Sequence, residues 1–517
     1  MSLAEPAPAT AAGLEPASTG AHGPATHKSL ALAVLAISQL MVVLDATIVN
    51  VALERIQVAL KFTSQSDLQW IVTGYAITFG GFLLLGGKLA DRLGRRRVFM
   101  SGAVLFAFAS FLGGTTNSQG LLIAARALQG LGGAFMSPAA LSLLTVVFRE
   151  GKERDRALGI WAAITAGGAA LGLILGGLLT QYLSWRWVFF VNVPVAAVAV
   201  LGAVRFVPES RDENARGFDV AGAVLVTGAL MSLVYGLAKV NDDGYSTGLK
   251  TAFFVISAVL LAAFVVVQQR VRDPLLPFRL FRSRTLTGAD TGILFVGAGI
   301  FGIFFFLTLW MQIINDYSPI QAGIAVLPMP IVIGIGAGLS SQLLGRIGPR
   351  PLVISGPLLA AVGLLMLALR LHPDSSYWGV VIPSMVIIGF GMGLSFVAIT
   401  SSAVAGVPQE DAGIASALLN SGQQVGGALG LAVLTAVSTA HTKSLGFGGL
   451  QALQAQPGGA RPDPDFVDRV LRAVNDGWNA GFLVATCFLV VAAVIMGWLV
   501  RVDKDAAAFE DDAAAAG

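Results

Sequence analysis

The 517-residue chain has few residues of the kinds that build soluble enzymes. Charged residues make up only 12% of it, whereas a typical soluble domain has about 25%. The single cysteine, Cys487, excludes an internal disulfide and a cysteine-based metal site. The four histidines lie in predicted tails or loops, and the sequence has no His-Glu-x-x-His pattern. We therefore expect no bound metal.

A phosphate-binding loop is also missing from the sequence. The pattern G-x-x-x-x-G-K-[ST] does not occur, so the chain has no P-loop for ATP. A net charge of +3 is weak and, in an apolar chain, reflects the placement of loops rather than an affinity for nucleic acid. These absences argue against a membrane enzyme. They leave no candidate catalytic residue, no predicted cofactor and no nucleic-acid partner.

Apolar and small residues are abundant instead. Hydrophobic residues make up 55% of the chain, and its 62 glycines suit close helix packing in lipid. Fourteen segments approach the roughly 20 residues that a helix needs to span a bilayer. They are 29–53, 69–89, 98–116, 121–146, 157–179, 186–206, 218–238, 250–268, 286–311, 322–343, 351–370, 378–399, 411–439 and 479–501. The sequence thus predicts an all-α polytopic membrane protein.

The loops between these segments predict the orientation. Most of the 33 lysines and arginines lie on one side if both termini are cytoplasmic. We therefore expect a multi-pass cell-membrane protein with both ends inside, and the excess of arginine over lysine suggests a bacterial source. The basic loop 269–285 is predicted to lie on the inner membrane face. The outer loop 440–477 is predicted to form a cap over the outer mouth.

One carboxylate, Asp45, lies within the first apolar segment, near Thr47 and Asn50. An isolated acid at such a position costs about 2.5–3.5 kcal/mol on insertion scales. It therefore usually faces a wet cavity or a charged partner, and it often carries protons. The alternative is an acid that reaches the membrane interface from near the end of its helix.

The second segment ends in GGKLADRLGRRRV, residues 86–98. An ordinary positive loop explains its arginines but not its whole G-x-L-A-D-R-x-G-R-R pattern. That pattern resembles the loop signature of the major facilitator superfamily. The stretches 44–53, 124–134, 184–194 and 413–430 are similar to motifs of its fourteen-helix drug:proton antiporters, the EmrB/QacA type. The resemblance extends from Ser29 to about Arg501.

This resemblance implies a major facilitator fold, with two six-helix bundles and two inserted helices. The implied organisation is a disordered tail (1–28), an N-terminal bundle (29–206), two additional helices with a basic linker (207–285), a C-terminal bundle (286–501) and a disordered acidic tail (502–517).

The resemblance also assigns functional residues. Asp45 and Arg126 would couple protons to transport, although a static ion pair that joins helices one and four is the alternative. Asp290 and Asp411 lie near inner helix ends, so a single proton carrier is expected. The implied cytoplasmic gate comprises Gly87, Asp91, Arg92, Gly94, Arg95 and Arg96. When the cavity faces outward, its acid, Asp91, is expected to meet the start of helix thirteen, near residues 411–413, and to be held in place by two of the arginines, Arg92 and Arg96.

Helix five carries the remaining family motif, a series of glycines at four-residue spacing. Leu173 stands where the family usually has a proline, so a kink in this helix is in doubt. The glycines of this motif are Gly168, Gly172, Gly176 and Gly177.

The implied function is proton-coupled multidrug efflux by alternating access. The protein would act as a monomer in the lipid bilayer and draw on the proton gradient without a cofactor. Aromatic residues suit a bulky lipophilic or cationic drug. The candidate cavity residues are Gln39, Asn50, Trp161, Phe305, Trp310, Asn420 and Gln424. The alternatives are a narrow-range exporter of a self-made metabolite, a proton-coupled importer, and a receptor or scaffold of the same fold.

Overall fold

The computed structural model describes residues 25–148, 151–212, 217–405, 407, 411–453 and 463–500. In this part of the chain, 14 helical spans are long and apolar enough to cross a membrane, which confirms the predicted number. They are α1 Lys28–Leu60, α2 Gln65–Leu93, α3 Arg95–Thr115, α4 Gln119–Val147, α5 Lys152–Tyr182, α6 Trp187–Phe206, α7 Val220–Lys239, α8 Thr247–Arg270, α9 Arg284–Ile314, α10 Pro319–Ile347, α11 Pro349–Arg370, α12 Tyr377–Val404, α13 Gly413–Ser444 and α14 Pro464–Leu499. The first helix itself begins at Ala25, and the predicted tails otherwise lie outside the described residues.

The spans form two bundles, as the predicted fold requires. In the first, α4 packs on α2 and α3, and α1 packs on α5 and α6. In the second, α9 packs on α13 and α14, and α12 packs on α10 and α11. The helix α7 lies against one helix of each bundle, α2 and α13, while α8 packs mainly on α7. Since α8 exposes Val255, Val259 and Val265, its outer side suits contact with lipid.

The ends of the spans define two faces of the molecule. We call the side where α1 begins, with Lys28 and the α2–α3 turn at Gly94, the N-face. The opposite side, with the α1–α2 turn at Lys61, is the far face. Odd-numbered spans run from the N-face to the far face, and even-numbered spans return.

Glycines hold α5 against α1. A Cβ atom at Gly172 would lie 2.0 Å from Thr47 Oγ1, and one at Gly176 would lie 2.7 Å from the carbonyl oxygen of Ile48. Gly168 faces Val43 one turn earlier. The predicted four-residue spacing is therefore a helix contact surface, because only glycine lets the two backbones approach this closely. The helix is continuous through Leu173, where the family proline is absent.

The two bundles meet at the far face. A Cβ atom at Gly177 of α5 would lie 2.6 Å from the Cα of Ile320 in α10, and one at Gly323 would lie 2.4 Å from the carbonyl oxygen of Leu173. The Gln312 Nε2 of α9 donates to the carbonyl of Val51 in α1 at 3.1 Å. These contacts close the space between the bundles on this side.

The same helices diverge towards the N-face. A Cβ atom at Gly159 or Gly167 of α5 would have no described neighbouring atom within 4 Å. Gly338 and Gly345 in the corresponding half of α10 are equally open. The space between the bundles therefore opens at the N-face and is closed at the far face.

The last span begins earlier than predicted. Helix α14 starts at Pro464, with Asp463 as its N-cap, and continues unbroken to Leu499. Within the predicted cap 440–477, the residues that the spacing of Phe466, Val470 and Val474 predicts to be helical form the first turns of α14, and the last two are buried. Polar residues at the start of this helix mask its continuity with the apolar span. Residues 454–462 lie outside the described part.

The basic loop 269–285, which is predicted to lie on the inner membrane face, packs on the protein at the N-face. Leu275 and Leu280 are buried. The Lys88 Nζ of α2 donates to the carbonyl of Pro274 at 2.5 Å, and Arg279 Nη2 donates to Asp411 Oδ1 at 2.9 Å. The loop therefore connects the N-face ends of the two bundles.

The two environments on α5 make a matched prediction. We expect Gly172→Leu to destabilise the protein by about 1–3 kcal/mol, because the added side chain overpacks the contact with α1. Gly167→Leu on the same helix, at a position with free space, is the control and should melt close to wild type. Thermal unfolding of the purified variants measures both. Equal melting temperatures for the two variants would contradict this description of the contact.

Candidate functional site

The two residues predicted to couple protons are in direct contact. Arg126 Nη1 donates to Asp45 Oδ2 at 2.5 Å. The Asp45 residue has 0% of its surface exposed and Arg126 has 1%. Asp45 therefore faces the interior of the N-terminal bundle rather than lipid. The contact joins the middle of α1 to α4.

Two amide side chains complete the coordination of the acid. Gln129 Nε2 donates to Asp45 Oδ1 at 3.0 Å, and Asn192 Nδ2 donates to the same oxygen at 2.8 Å. Gln129 also donates to Ser110 Oγ at 2.7 Å. Sequence analysis missed both amides. The available signals were that Gln129 lies one turn after Arg126 and that Asn192 lies within the motif stretch 184–194.

The arginine is also fully engaged. Its Nε donates to the carbonyl of Ile71 at 2.8 Å, and its Nη1 contacts Gln129 Oε1 at 3.0 Å. Its guanidinium carbon lies 4.5 Å from the centre of the Tyr75 ring. Side chains or backbone from α1, α2, α3, α4 and α6 thus form one polar network. Such completeness is what a buried ion pair requires, because each charge must regain the interactions it loses with water.

The α2–α3 turn is the predicted gate. Gly94 has a φ of 110°, a conformation that favours glycine. Asp91 Oδ1 accepts from Arg95 Nε at 3.0 Å and from its Nη2 at 2.9 Å. The backbone N–H of Arg96 donates to Glu209 Oε1 at 3.0 Å. The turn is therefore held by its own acid and by the segment that follows α6.

One gate prediction differs from the structure. Arg92 and Arg96 do not hold Asp91: the first lies over the Phe218 ring at 5.1 Å, and the second donates to the carbonyl of Val207 at 3.1 Å.

The predicted contact of Asp91 with the start of α13 belongs to the state in which the cavity faces outward, so it stays a prediction. In the described conformation, Asp411 at the start of α13 binds Arg279. Of the two adjacent glycines near the end of α2, Gly86 is packed more tightly than Gly87. A Cβ atom at Gly86 would lie 2.1 Å from the carbonyl oxygen of Ala134, whereas one at Gly87 would lie 3.8 Å from Pro138.

Four of the predicted cavity residues lie in the N-face half of their helices and keep part of their surface exposed. Asn420 is exposed within α13, and Gln39, Trp161 and Gln424 are half-buried. Gln424 packs against Gly80 of α2, which places it between the bundles, while Ser137 Oγ donates to Gln39 Oε1 at 3.2 Å.

The other three cavity candidates are buried. Asn50 donates back to the carbonyl of Ala46 at 3.2 Å. The predictions for Phe305 and Trp310 are wrong for this conformation, because neither ring reaches open space. Phe305 packs edge-on against Phe306, and Trp310 Nε1 donates to Asn475 Oδ1 at 3.0 Å inside the C-terminal bundle.

Comparison with known proteins identifies the family. The family model described as Major Facilitator Superfamily matches residues 35–431, which is more than half of the chain. The chain belongs to the major facilitator superfamily. The match includes the Asp45–Arg126 pair and the α2–α3 turn, and it extends through the C-terminal bundle as far as α13. The protein is therefore a multi-pass membrane protein of this fold.

Curated members of the superfamily are similar over most of the chain. The puromycin resistance protein pur8 of Streptomyces alboniger is 39% identical over 503 residues, 96% of each chain. The tetracenomycin C resistance and export protein of Streptomyces glaucescens is 38% identical over 405 residues, 78% of this chain and 74% of the relative. Among solved structures, a bacterial homologue of the lysosomal transporter Spinster has a TM-score of 0.66 at 19% identity, covering 93% of this chain and 98% of its own.

The buried pair gives a stability prediction for this superfamily member. Arg126→Ala leaves a buried carboxylate without its charged partner, so we expect a loss of about 3–5 kcal/mol. The control is Arg472→Ala, which breaks an exposed pair with Asp468 and should melt close to wild type. Thermal unfolding in detergent measures both.

The double variant Asp45→Asn, Arg126→Gln removes both charges and should recover part of the lost stability. If Arg126→Ala melts at the same temperature as the exposed control Arg472→Ala, the Asp45–Arg126 pair does not stabilise the fold as described.

Proposed function

We propose that the chain exports small lipophilic or cationic drug-like molecules across a bacterial cell membrane, in exchange for protons. The polar network around Asp45 is the observation that carries this proposal. The curated relatives support the export role, since they are named for resistance to antibiotics or for their export. The proton gradient supplies the energy, no cofactor is required, and one chain is sufficient.

The distribution of positive charge supports the orientation. Lys88, Arg95, Arg96 and Arg97 lie together at the N-face, where positive residues favour the cytoplasmic side. The N-face is then cytoplasmic, and both termini lie inside the cell. The described conformation, open at the N-face, is the state that accepts substrate from the cytoplasm.

The exposed and half-buried polar residues of the N-face half suit substrate binding. The Asn420 amide offers hydrogen bonds within an otherwise apolar space, and Trp161 offers an aromatic surface. An aromatic face attracts a cationic group, while the apolar helix surfaces accept the rest of a lipophilic molecule. Rocking of the two bundles would then present this space to the far face.

The coupling step rests on competition between a proton and Arg126 for the Asp45 carboxylate. Arg126, Gln129 and Asn192 all donate to the carboxylate, so a proton must compete with these three donors for its oxygens. A proton that arrives from the outside when the far face opens neutralises Asp45 and releases its hold on Arg126. When the N-face opens, the pair re-forms and the proton leaves to the cytoplasm. A static pair would instead hold α1 and α4 together in every state.

A narrow substrate range is the second candidate. Two relatives carry the name of a single antibiotic, puromycin or tetracenomycin C, which favours an exporter of one chemical class. A panel of unrelated cations and neutral antibiotics, tested for efflux from cells, separates the two candidates. Multidrug export requires protection against several classes.

We expect Asp45→Asn to abolish proton-driven export while the protein still inserts into the membrane. The amide keeps the shape of the acid but cannot exchange a proton. Inverted membrane vesicles, in which respiration generates a proton gradient, measure the uptake of puromycin driven by that gradient. The matched control is Asp243→Asn, an exposed acid paired with Lys443, which should transport at close to the wild-type rate.

Undiminished proton-driven uptake by Asp45→Asn would rule out this residue as an essential carrier. It would favour the static role of the Asp45–Arg126 pair.

A further inference from the structure

A second buried acid, Asp290, lies in the C-terminal bundle. Only 7% of its surface is exposed, and neither of its carboxyl oxygens has a hydrogen-bond partner among the described residues. It lies six residues after Arg284, where α9 begins. At roughly 1.5 Å per residue, it is about 9 Å along the helix from the N-face end. The sequence alone had suggested a single proton carrier elsewhere.

The contact between α9 and α13 keeps this acid dry. A Cβ atom at Gly426 of α13 would lie 2.0 Å from the carbonyl oxygen of Leu294, and one at Gly297 of α9 would lie 2.4 Å from that of Gln423. The carbonyl oxygen of Asp290 itself lies 3.5 Å from the corresponding position at Gly422. The acid therefore sits at the N-face end of a tightly packed pair of helices.

No described charge compensates this acid. On the elements that pack against α9, the titratable groups nearest the N-face are Asp411 and Arg279, which bind each other, Arg282, and Lys28 of α1, which binds Glu153 of α5. Helix α9 contributes only Arg284, at its exposed start.

The remaining charges on the packed elements lie elsewhere. Between residues 477 and 499 in α14, and between 382 and 404 in α12, the sequence has no charged or titratable residue except Cys487. His441 and Lys443 of α13 and the acids at the start of α14 are at the far face. On α1, Asp45 is bound to Arg126, and Glu54 and Arg55 lie towards the far face. Helix α10 contacts α9 mainly near the start of α10, which is also at the far face.

The contrast with Asp45 is informative. Asp45 accepts three hydrogen bonds, one of them from a cation, whereas Asp290 accepts none from the described chain. An ionised carboxylate without a counter-charge or a donor is strongly unfavourable in a dry interior, so the group binds a proton instead. Thr287, one turn before Asp290, and Thr291, the next residue, are half-buried, and Thr287 lies on the side from which water would approach from the N-face.

We propose that Asp290 is a second exchangeable proton site, which holds a proton in the described conformation and exchanges it with water at the N-face. On release, the carboxyl O–H bond breaks, the proton passes to that water, and water entering from the N-face solvates the carboxylate. The part of this proposal that concerns transport rests on the proposed proton antiport. In the cycle, Asp290 takes up its proton from the outside when the far face is open and releases it to water at the N-face, so that each cycle moves one proton more than Asp45 alone can carry.

Infrared difference spectroscopy tests the site without transport. The full-length protein in lipid nanodiscs is titrated from neutral to alkaline pH, and the C=O stretch of protonated carboxyl groups is recorded. We expect a band in the wild type that disappears at alkaline pH. Asp290→Asn should lack it, whereas Asp45→Asn and the exposed control Asp243→Asn should retain it. Asp290→Glu, which restores an acid, should regain a titrating band.

Two spectroscopic results would overturn the proposal. Identical spectra for the wild type and Asp290→Asn would mean that Asp290 is ionised throughout. A band assigned to Asp290 that persists over the whole titration would mean that its proton does not exchange.

A count of protons tests the role in transport. In proteoliposomes, we expect Asp290→Asn to move about one proton fewer per puromycin than the wild type, with puromycin still transported. An unchanged ratio would overturn the transport role. If the wild type moves puromycin without protons, the proposed antiport fails, and the infrared titration still decides whether Asp290 exchanges its proton.

Discussion

The burial of Asp45 and Arg126 is the constraint on which the N-terminal bundle depends. Neither charge can remain in an apolar interior alone, so each must gather partners from the surrounding helices. The carboxylate recruits two amides in addition to the arginine. The arginine also binds the backbone of α2. This network fixes the positions of five helices relative to one another. A proton that binds Asp45 would therefore alter the contacts between them.

Close contacts between helix backbones at glycine residues supply the second constraint. Glycines on α5 bring it against α1 on one side and, at Gly177, against the other bundle. In the N-face half of the same helix, Cβ atoms at Gly159 and Gly167 would meet no described atom within 4 Å. Close backbone contacts on only one half of a helix allow the bundles to separate at one face while remaining joined at the other. This asymmetry is the geometry that alternating access requires.

Some of this could be read from the sequence, for physical reasons. Burying a charged acid in one apolar span and an arginine in another costs so much free energy that the sequence predicts contact between the two. The four-residue glycine spacing similarly predicts a close helix contact. Gln129 and Asn192 gave no comparable signal, because an amide is tolerated at many positions and only the fold shows which ones meet Asp45.

The errors share a cause. The partners of Arg92 and Arg96 are residues more than a hundred positions away in the chain, and local patterns do not report such contacts. Phe305 and Trp310 are aromatic residues in an apolar span, and composition cannot distinguish a cavity wall from a bundle interior. The start of α14 was missed because its polar outer turns lower the hydropathy while the backbone remains helical.

The central claim is that occupancy of Asp45 by a proton is linked to movement of substrate. The most direct measurement uses proteoliposomes with a puromycin gradient, no initial pH difference and a pH-sensitive dye inside. The account predicts that puromycin flowing down its gradient drives protons in the opposite direction, and that substituting Asp45 with asparagine removes this proton movement. Wild-type puromycin flux without any change in internal pH would contradict it.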